Sequence, residues 1–268
     1  MDPDLLPRLV RYADLSGFPA FAAFGVRESA VDRLLADAAG VDPSVVTGLR
    51  ADLDELVLDA ADALLTDPAV TDRVAALDLA PGERIVVVGD SLSADRLSWA
   101  RILVELVGRM HPQVSVEVLA LSGRTTGDAL ALAPVLISRR PTRVLVLLGT
   151  NDIRREGASA AVPMVSAWET GRNLHALKAL LETEVRARVR LIVPPPMDPE
   201  RSTSTRFLTG EFWDAADLPR LAATVRDVDR TAIDLASVPV GPEFWEDDGV
   251  HPGPDGQITV LRAILAQL

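Results

Sequence analysis

A chain of 268 residues with 48% hydrophobic side chains has enough apolar surface for one large buried core, which excludes a disordered protein. Its formal charge of −12 opposes nucleic-acid and anionic-membrane surfaces, because every phosphate contact would work against the overall field. The absence of cysteine removes disulfides, thiolate catalysis and Cys-ligated zinc together. Apolar runs such as 85–88 and 144–148 fall far short of the roughly 20 residues a membrane-spanning helix needs. The start, Met-Asp-Pro-Asp-Leu-Leu, lacks the basic and apolar regions of a secretory signal. The expectation is a cytoplasmic protein acting on a small neutral or cationic molecule, without nucleic-acid or membrane partners.

Residues 1–80 read as an N-terminal helical segment. Gly40 ends one helix, and Asp42-Pro43 and Asp67-Pro68 each set an N-cap before a proline at the first helical position. Phe18, Phe21 and Phe24 recur at a spacing of three, as on one helix face. That face is expected to pack the segment onto the rest of the chain; a lid, an acyl-chain contact or a homodimer surface are the other uses open to it.

From Pro81-Gly82 the pattern changes to short β-branched runs alternating with helical stretches, the sequence form of a parallel sheet covered on both faces. Strands are expected at 84–88, 114–120, 143–148, 188–193 and 232–235, and helices at 96–108, 127–138, 169–184, 217–230 and 255–268. Five strands fit a flavodoxin-like three-layer α/β/α domain spanning 81–268. Ligands of such sheets bind beyond the carboxyl ends of the strands. There the chain places Gly89-Asp90-Ser91-Leu92, Ser122-Gly123-Arg124-Thr125-Thr126, Gly149-Thr150-Asn151-Asp152, Pro194-Pro195-Pro196 and Asp248-Gly249-Val250-His251-Pro252.

A serine hydroxyl needs a neighbouring base to take its proton, and the base needs an orienting acceptor on its other ring nitrogen. The chain holds three histidines. His111 approaches the second strand at the wrong end of the sheet, and His175 lies inside a helix. His251 alone falls on a carboxyl-end loop. Asp248, three residues earlier, can reach its Nδ1 in a turn and leave Nε2 for Ser91. Ser91 sits where a buried strand turns into a helix, with the helix amides aimed at developing negative charge. Donors for an oxyanion are assigned to the backbone N–H groups of Ser91 and Gly123 and to the side-chain amide of Asn151. Asp90 is expected to hold the serine turn through loop amides.

These blocks, Gly-Asp-Ser-Leu-Ser at 89–93, Gly123, Gly-Thr-Asn-Asp at 149–152 and Asp-Gly-Val-His-Pro at 248–252, resemble the SGNH (GDSL) hydrolases and stand in that family's order. The Gly-Arg-Thr-Thr run at 123–126 and the triple proline at 194–196 resemble its arylesterase and acyltransferase members. The resemblance covers roughly 81–268. It implies a five-stranded α/β/α sandwich and hydrolysis of a small ester or thioester through an acyl-enzyme, with no metal and no cofactor. An acyltransferase using the same residues, or a silent regulatory module with the N-terminal helices over the site, are the alternatives. About 80 helical residues before the nucleophile, and the loop at 197–219 with Phe207, Phe212 and Trp213, depart from the family's pattern.

Two further readings concern charge. Arg124, with Arg154 and Arg155, is a candidate contact for an anionic part of the substrate, since Arg suits bidentate carboxylate recognition. In the simpler reading Arg124 pairs with Asp90 or Asp152, and the other two arginines are solvated. Asp90, Asp152 and Asp248 could instead hold Mg²⁺ for phosphoryl transfer, but that reading lacks an Asp-x-Asp pair and a Gly-rich phosphate loop and leaves Ser91 and His251 unused. The chain also has no Gly-x-Ser-x-Gly elbow of the α/β-hydrolase type.

Overall fold

A computed structural model describes residues 5–12, 26–156, 162–204 and 211–268. The N-terminal region is helical: α1 (Leu5–Tyr12), α2 (Glu28–Ala39), α3 (Pro43–Leu65) and α4 (Pro68–Ala75). Gly40 stops α2 with a φ of 69°. The carboxylates of Asp42 and Asp67 cap α3 and α4 by accepting the amides of Ser44 and Ala69, with proline in the first turn of each helix. The Phe18, Phe21 and Phe24 face lies outside the described residues.

Five parallel strands follow: β1 (Arg84–Gly89), β2 (Ser115–Ala120), β3 (Arg143–Leu147), β4 (Arg188–Val193) and β5 (Ile233–Asp234). Their order is β2-β1-β3-β4-β5, that of a flavodoxin-like sheet. The fifth strand is shorter than the expected 232–235, because only Ile233 and Asp234 pair with β4. Gly89 at the end of β1 is flanked by Ala120 of β2 and Leu147 of β3. The chain leaves β1 and β3 toward opposite edges of the sheet, and a crevice opens at their carboxyl ends.

The helices of this region are α5 (Ser91–Ala94), α6 (Trp99–Met110), α7 (Thr126–Ala131), α8 (Ala133–Ser138), α9 (Ala167–Glu184), α10 (Pro199–Ser204), α11 (Leu218–Val228) and α12 (Pro254–Leu265). Two differ from expectation. Helix α6 starts at Trp99 rather than 96, because the Asp95 carboxylate takes the Leu97 amide and Ser98 then caps the helix. The helix expected at 127–138 is broken at Leu132, two residues before Pro134, whose ring cannot continue the first helix.

Strand side chains alternate between two cores. Ile85, Val87, Leu145 and Leu147 face a core shared with α3, α4, α6 and α12. Val86, Val88, Val144, Val146 and Leu148 face one shared with α7, α8, α9 and α11. A third cluster joins Leu6 and Val10 of α1 to Val31 and Leu35 of α2 and Val46 of α3. Helix α3 therefore serves both: Val46 near its start lies in the third cluster, and Val57, Ala61 and Leu64 lie in the sheet core. Among the described residues no helix is long and apolar enough to cross a membrane.

This sharing predicts that the helices before β1 unfold together with the sheet. Leu64→Ala, at a position 2% exposed, should destabilise the whole chain by about 2–5 kcal/mol in a single urea transition. Two separated transitions would show that the N-terminal helices fold apart from the sheet.

Candidate active site

The turn after β1 is built around space and one carboxylate. A Cβ at Gly89 would lie 2.5 Å from Ser93 Oγ and 2.6 Å from Ser93 Cβ, so only glycine lets α5 fold back onto the strand. Asp90 caps α5: its Oδ1 accepts the Leu92 amide at 3.0 Å. Ser91 is the first residue of that helix. Asp90 is fully buried, its Oδ2 has no hydrogen-bond partner among the described residues, and burial pushes its carboxyl up to about 7 against the pull of the Leu92 amide and His251.

The loop before α12 carries Asp248 and His251. Asp248 Oδ1 accepts the amides of Val250 at 2.7 Å and His251 at 2.8 Å, which closes a tight turn. Its Oδ2 lies 2.7 Å from His251 Nδ1, and His251 Nε2 lies 2.7 Å from Ser91 Oγ. The carboxylate assigns the proton to Nδ1 and leaves Nε2 as the acceptor facing the serine hydroxyl. Gly249 makes the turn possible: its φ is +70°, and a Cβ there would come within 2.6 Å of Arg201 Cβ and 2.9 Å of the Ser202 amide nitrogen. Glu246 N donates to the His251 carbonyl at 2.8 Å and ties the loop to itself.

All three side chains are nearly dry, with Ser91 and Asp248 8% exposed and His251 5%. Burial raises the proton affinity of Asp248, but the His251 charge, its hydrogen bond and the two amides outweigh that and hold the carboxyl below its ordinary range. Burial lowers the affinity of His251, and the charge and hydrogen bond of Asp248, joined by Asp95 and Asp90, outweigh it and raise the ring above its ordinary value.

The second and third strands complete the pocket. Gly123 follows β2 with a φ of +79°. Asn151 follows β3, is 2% exposed, and donates from Nδ2 to the Arg124 carbonyl at 3.2 Å while Arg154 Nη1 approaches its Oδ1 at 3.4 Å. An amide group carries two N–H donors, and one remains for a bound oxygen. Asp152 is a knot between elements: it takes the Thr126 amide at 2.8 Å, the Thr126 hydroxyl at 2.6 Å and the Thr170 hydroxyl at 2.7 Å.

These contacts revise the reading of the arginines. Arg124 pairs with neither Asp90 nor Asp152; it is buried and donates from Nη1 to the Leu119 carbonyl at 3.1 Å. Arg154 and Arg155 are only partly exposed and are ion-paired: Arg154 bridges Asn151 and Glu156, and Arg155 binds Asp217 at 2.5 Å. The segment 197–219, expected as a loop, contains α10 and the start of α11, and Trp213 ties it to the loop after β3 by donating its indole N–H to the Thr150 carbonyl at 2.9 Å; Phe207 lies outside the described residues. Thr126 and Thr170 escaped the sequence reading because a threonine at a helix start looks like an ordinary cap. Two residues of α1 also escaped it. Tyr12 packs on His251 with ring centroids 5.0 Å apart, and Arg11 binds Asp95 through two hydrogen bonds of 2.8 Å.

A parallel five-stranded sheet with a serine after β1, an imidazole on a late carboxyl-end loop and amides after β2 and β3 defines a serine hydrolase of the flavodoxin-like architecture. Residues 87–257 match the GDSL-like lipase/acylhydrolase family, and the chain belongs to that family. It is 30% identical over 192 residues to an arylesterase of Vibrio mimicus, covering 69% of this chain and 88% of the relative. It is 29% identical over 195 residues to thioesterase 1/protease 1/lysophospholipase L1 of Escherichia coli K12, covering 70% and 85%. A lipase/acylhydrolase structure from Enterococcus faecalis superposes with a TM-score of 0.55 at 22% identity, covering 69% of this chain and 94% of that one. The protein is a serine ester hydrolase.

The raised proton affinity of His251 has a kinetic consequence. A protonated ring cannot accept the serine proton, so kcat/KM should fall on the acid side with a midpoint above the ordinary histidine value of about 6.5. Asp248→Asn removes the charge that raises it, so the midpoint should move to lower pH while kcat drops. A pH–rate profile of both proteins measures this, and an unmoved midpoint would remove Asp248 from contact with the base.

Proposed function

We propose that Ser91 is the nucleophile, His251 the general base and acid, and Asp248 the group that orients the imidazole. The observation that carries this is the unbroken chain from Asp248 Oδ2 to His251 Nδ1 and from Nε2 to Ser91 Oγ, with both contacts at 2.7 Å. Ser91 Oγ bonds to the ester or thioester carbonyl carbon as its proton passes to Nε2. The carbonyl oxygen, now an anion, is held by the Ser91 and Gly123 amides and the second N–H of Asn151. His251 gives its proton to the leaving alcohol or thiol as the bond to carbon breaks, and the acyl group stays on Ser91. Water attacks that ester as His251 Nε2 takes its proton, and His251 returns that proton to Ser91 Oγ as the acyl–oxygen bond breaks and the carboxylic acid leaves.

Carboxylic esters and thioesters are the proposed substrates, in keeping with the arylesterase and thioesterase names of the two relatives. The chain's net charge of −12 favours neutral or cationic substrates over anionic ones. Arg124, buried against Leu119, enters this scheme through its carbonyl on Asn151 rather than as a substrate contact. The segment 1–80 is proposed as an extension of the hydrolase domain at 81–268, and the cytoplasm as the compartment.

The purified protein and its Ser91→Ala variant, given a fluorophosphonate probe and p-nitrophenyl acetate, should differ completely. Labelling and turnover are both expected in the parent and in neither case in the variant; turnover that survives in the variant would refute the assignment. Asn151→Ala should lower kcat by about 100-fold to 1000-fold with little change in KM. A loss confined to KM would place Asn151 in substrate binding only.

A further inference from the structure

The end of α1 meets three loops of the active site at once. Arg11 Nε and Nη2 each bind a carboxylate oxygen of Asp95 at 2.8 Å, in the turn that follows Ser91, and the Arg11 carbonyl accepts the Arg96 amide at 3.2 Å. Arg11 Nη1 binds Glu246 at 2.8 Å, on the loop that carries Asp248 and His251. The Tyr12 carbonyl accepts the hydroxyl of Ser122, next to Gly123. None of these partners fixes the tyrosine side chain for its own sake; together they press the Tyr12 ring against the His251 ring, at a centroid distance of 5.0 Å and a tilt of 52°. The Arg11 guanidinium carbon stands 5.0 Å from the centroid of the same ring.

From this geometry we infer that α1 is a strap over the active site and that Tyr12 is a positioning residue, acting through the imidazole of His251. The inference rests on the catalytic roles proposed above. The Asp248 and Ser91 hydrogen bonds of His251 run through its opposite nitrogens. The Tyr12 ring packed on the imidazole resists a tilt about the line between them, and a misplacement of about 1 Å can cost on the order of 100-fold in rate. The strap lies outside residues 87–257, where the family match falls, so it is added to the matched fold and not drawn from it. Asp95, wholly buried, is the anchor that makes the docking specific. An unpaired buried carboxylate would be costly, and Arg11 supplies its counter-charge.

Tyr12→Ala, Tyr12→Leu and Tyr12→Phe should be compared with the full-length parent and with Ser91→Ala on p-nitrophenyl acetate, recording kcat, KM, the acid limb and Tm. Tyr12→Ala should lower kcat by roughly tenfold or more with KM changed far less. It should also move the acid limb to higher pH, because uncovering the ring relieves the burial that opposes its charge while Asp248, Asp95, Asp90, Glu246 and Arg11 stay in place. Tyr12→Phe should restore most of the lost kcat, since the flat ring and not the hydroxyl does the positioning. Tyr12→Leu keeps apolar volume and therefore the fold, lacks the flat face, and should fall between the other two; it carries the test if Tyr12→Ala does not fold. Parental kcat and acid limb in a folded Tyr12→Ala or Tyr12→Leu would overturn the inference while leaving the serine mechanism intact. A rise in kcat would also overturn it and make α1 an inhibitory cover. Turnover persisting in Ser91→Ala would instead remove the catalytic roles on which the inference stands.

Discussion

A carboxylate can strengthen a neighbouring imidazole as a base only while it stays ionised, and in a dry site ionisation has to be supported by hydrogen bonds. Asp248 meets that condition through the charge and hydrogen bond of His251 at Oδ2, joined by two backbone amides of its own turn at Oδ1. Asp90 shows the contrast within the same pocket. Wholly buried and given the single amide of Leu92, its carboxyl is pushed up to about 7. The difference lies in their surroundings: Asp248 has the His251 charge and hydrogen bond besides its two amides, and Asp90 is the more deeply buried. The turn from 248 to 251, closed by the left-handed Gly249, is therefore the element around which the rest of the site is arranged.

The sheet supplies the other constraint, which is convergence. The carboxyl ends of β1, β2 and β3 bring Ser91, Gly123 and Asn151 to one crevice, and the two hydrophobic cores hold those strands from both faces. Loops projecting from strand ends would still drift without ties between them. Asp152 joins the loop after β3 to Thr126 at the start of α7 and Thr170 in α9, while Trp213 joins the same loop to the segment after α10. Burying a carboxylate is unfavourable in itself; three donors offset part of the cost, and burial still holds the Asp152 carboxyl above its ordinary range. These ties join the loop after β3 to α7, α9 and the segment before α11.

How much of this could be read from residues alone follows from what is local. The five strands were legible because each is a short apolar run bounded by turn residues, and His251 because two of the three histidines fall away from the carboxyl ends. The capping carboxylates of Asp42, Asp67 and Asp90 were legible for the same reason, since each acts within two residues of itself. Contacts across the fold were not. Arg124 was read as a carboxylate partner, but its guanidinium turns back to the Leu119 carbonyl five residues away. Arg11 and Asp95 are 84 positions apart, and no pattern in either segment announces their pairing. The break at Leu132 was carried by Pro134, a signal present in the sequence but hidden by continuous apolar periodicity on both sides.

The central claim is that an acyl group passes through Ser91. Rapid acid quench of the protein during turnover of a p-nitrophenyl ester, followed by mass spectrometry of its peptides, tests that claim most directly. The account predicts a mass increase equal to the acyl group, confined to the peptide containing Ser91 and absent when the ester is omitted. An adduct on a different residue, or steady turnover accompanied by direct incorporation of solvent oxygen with Ser91 never acylated, would contradict it.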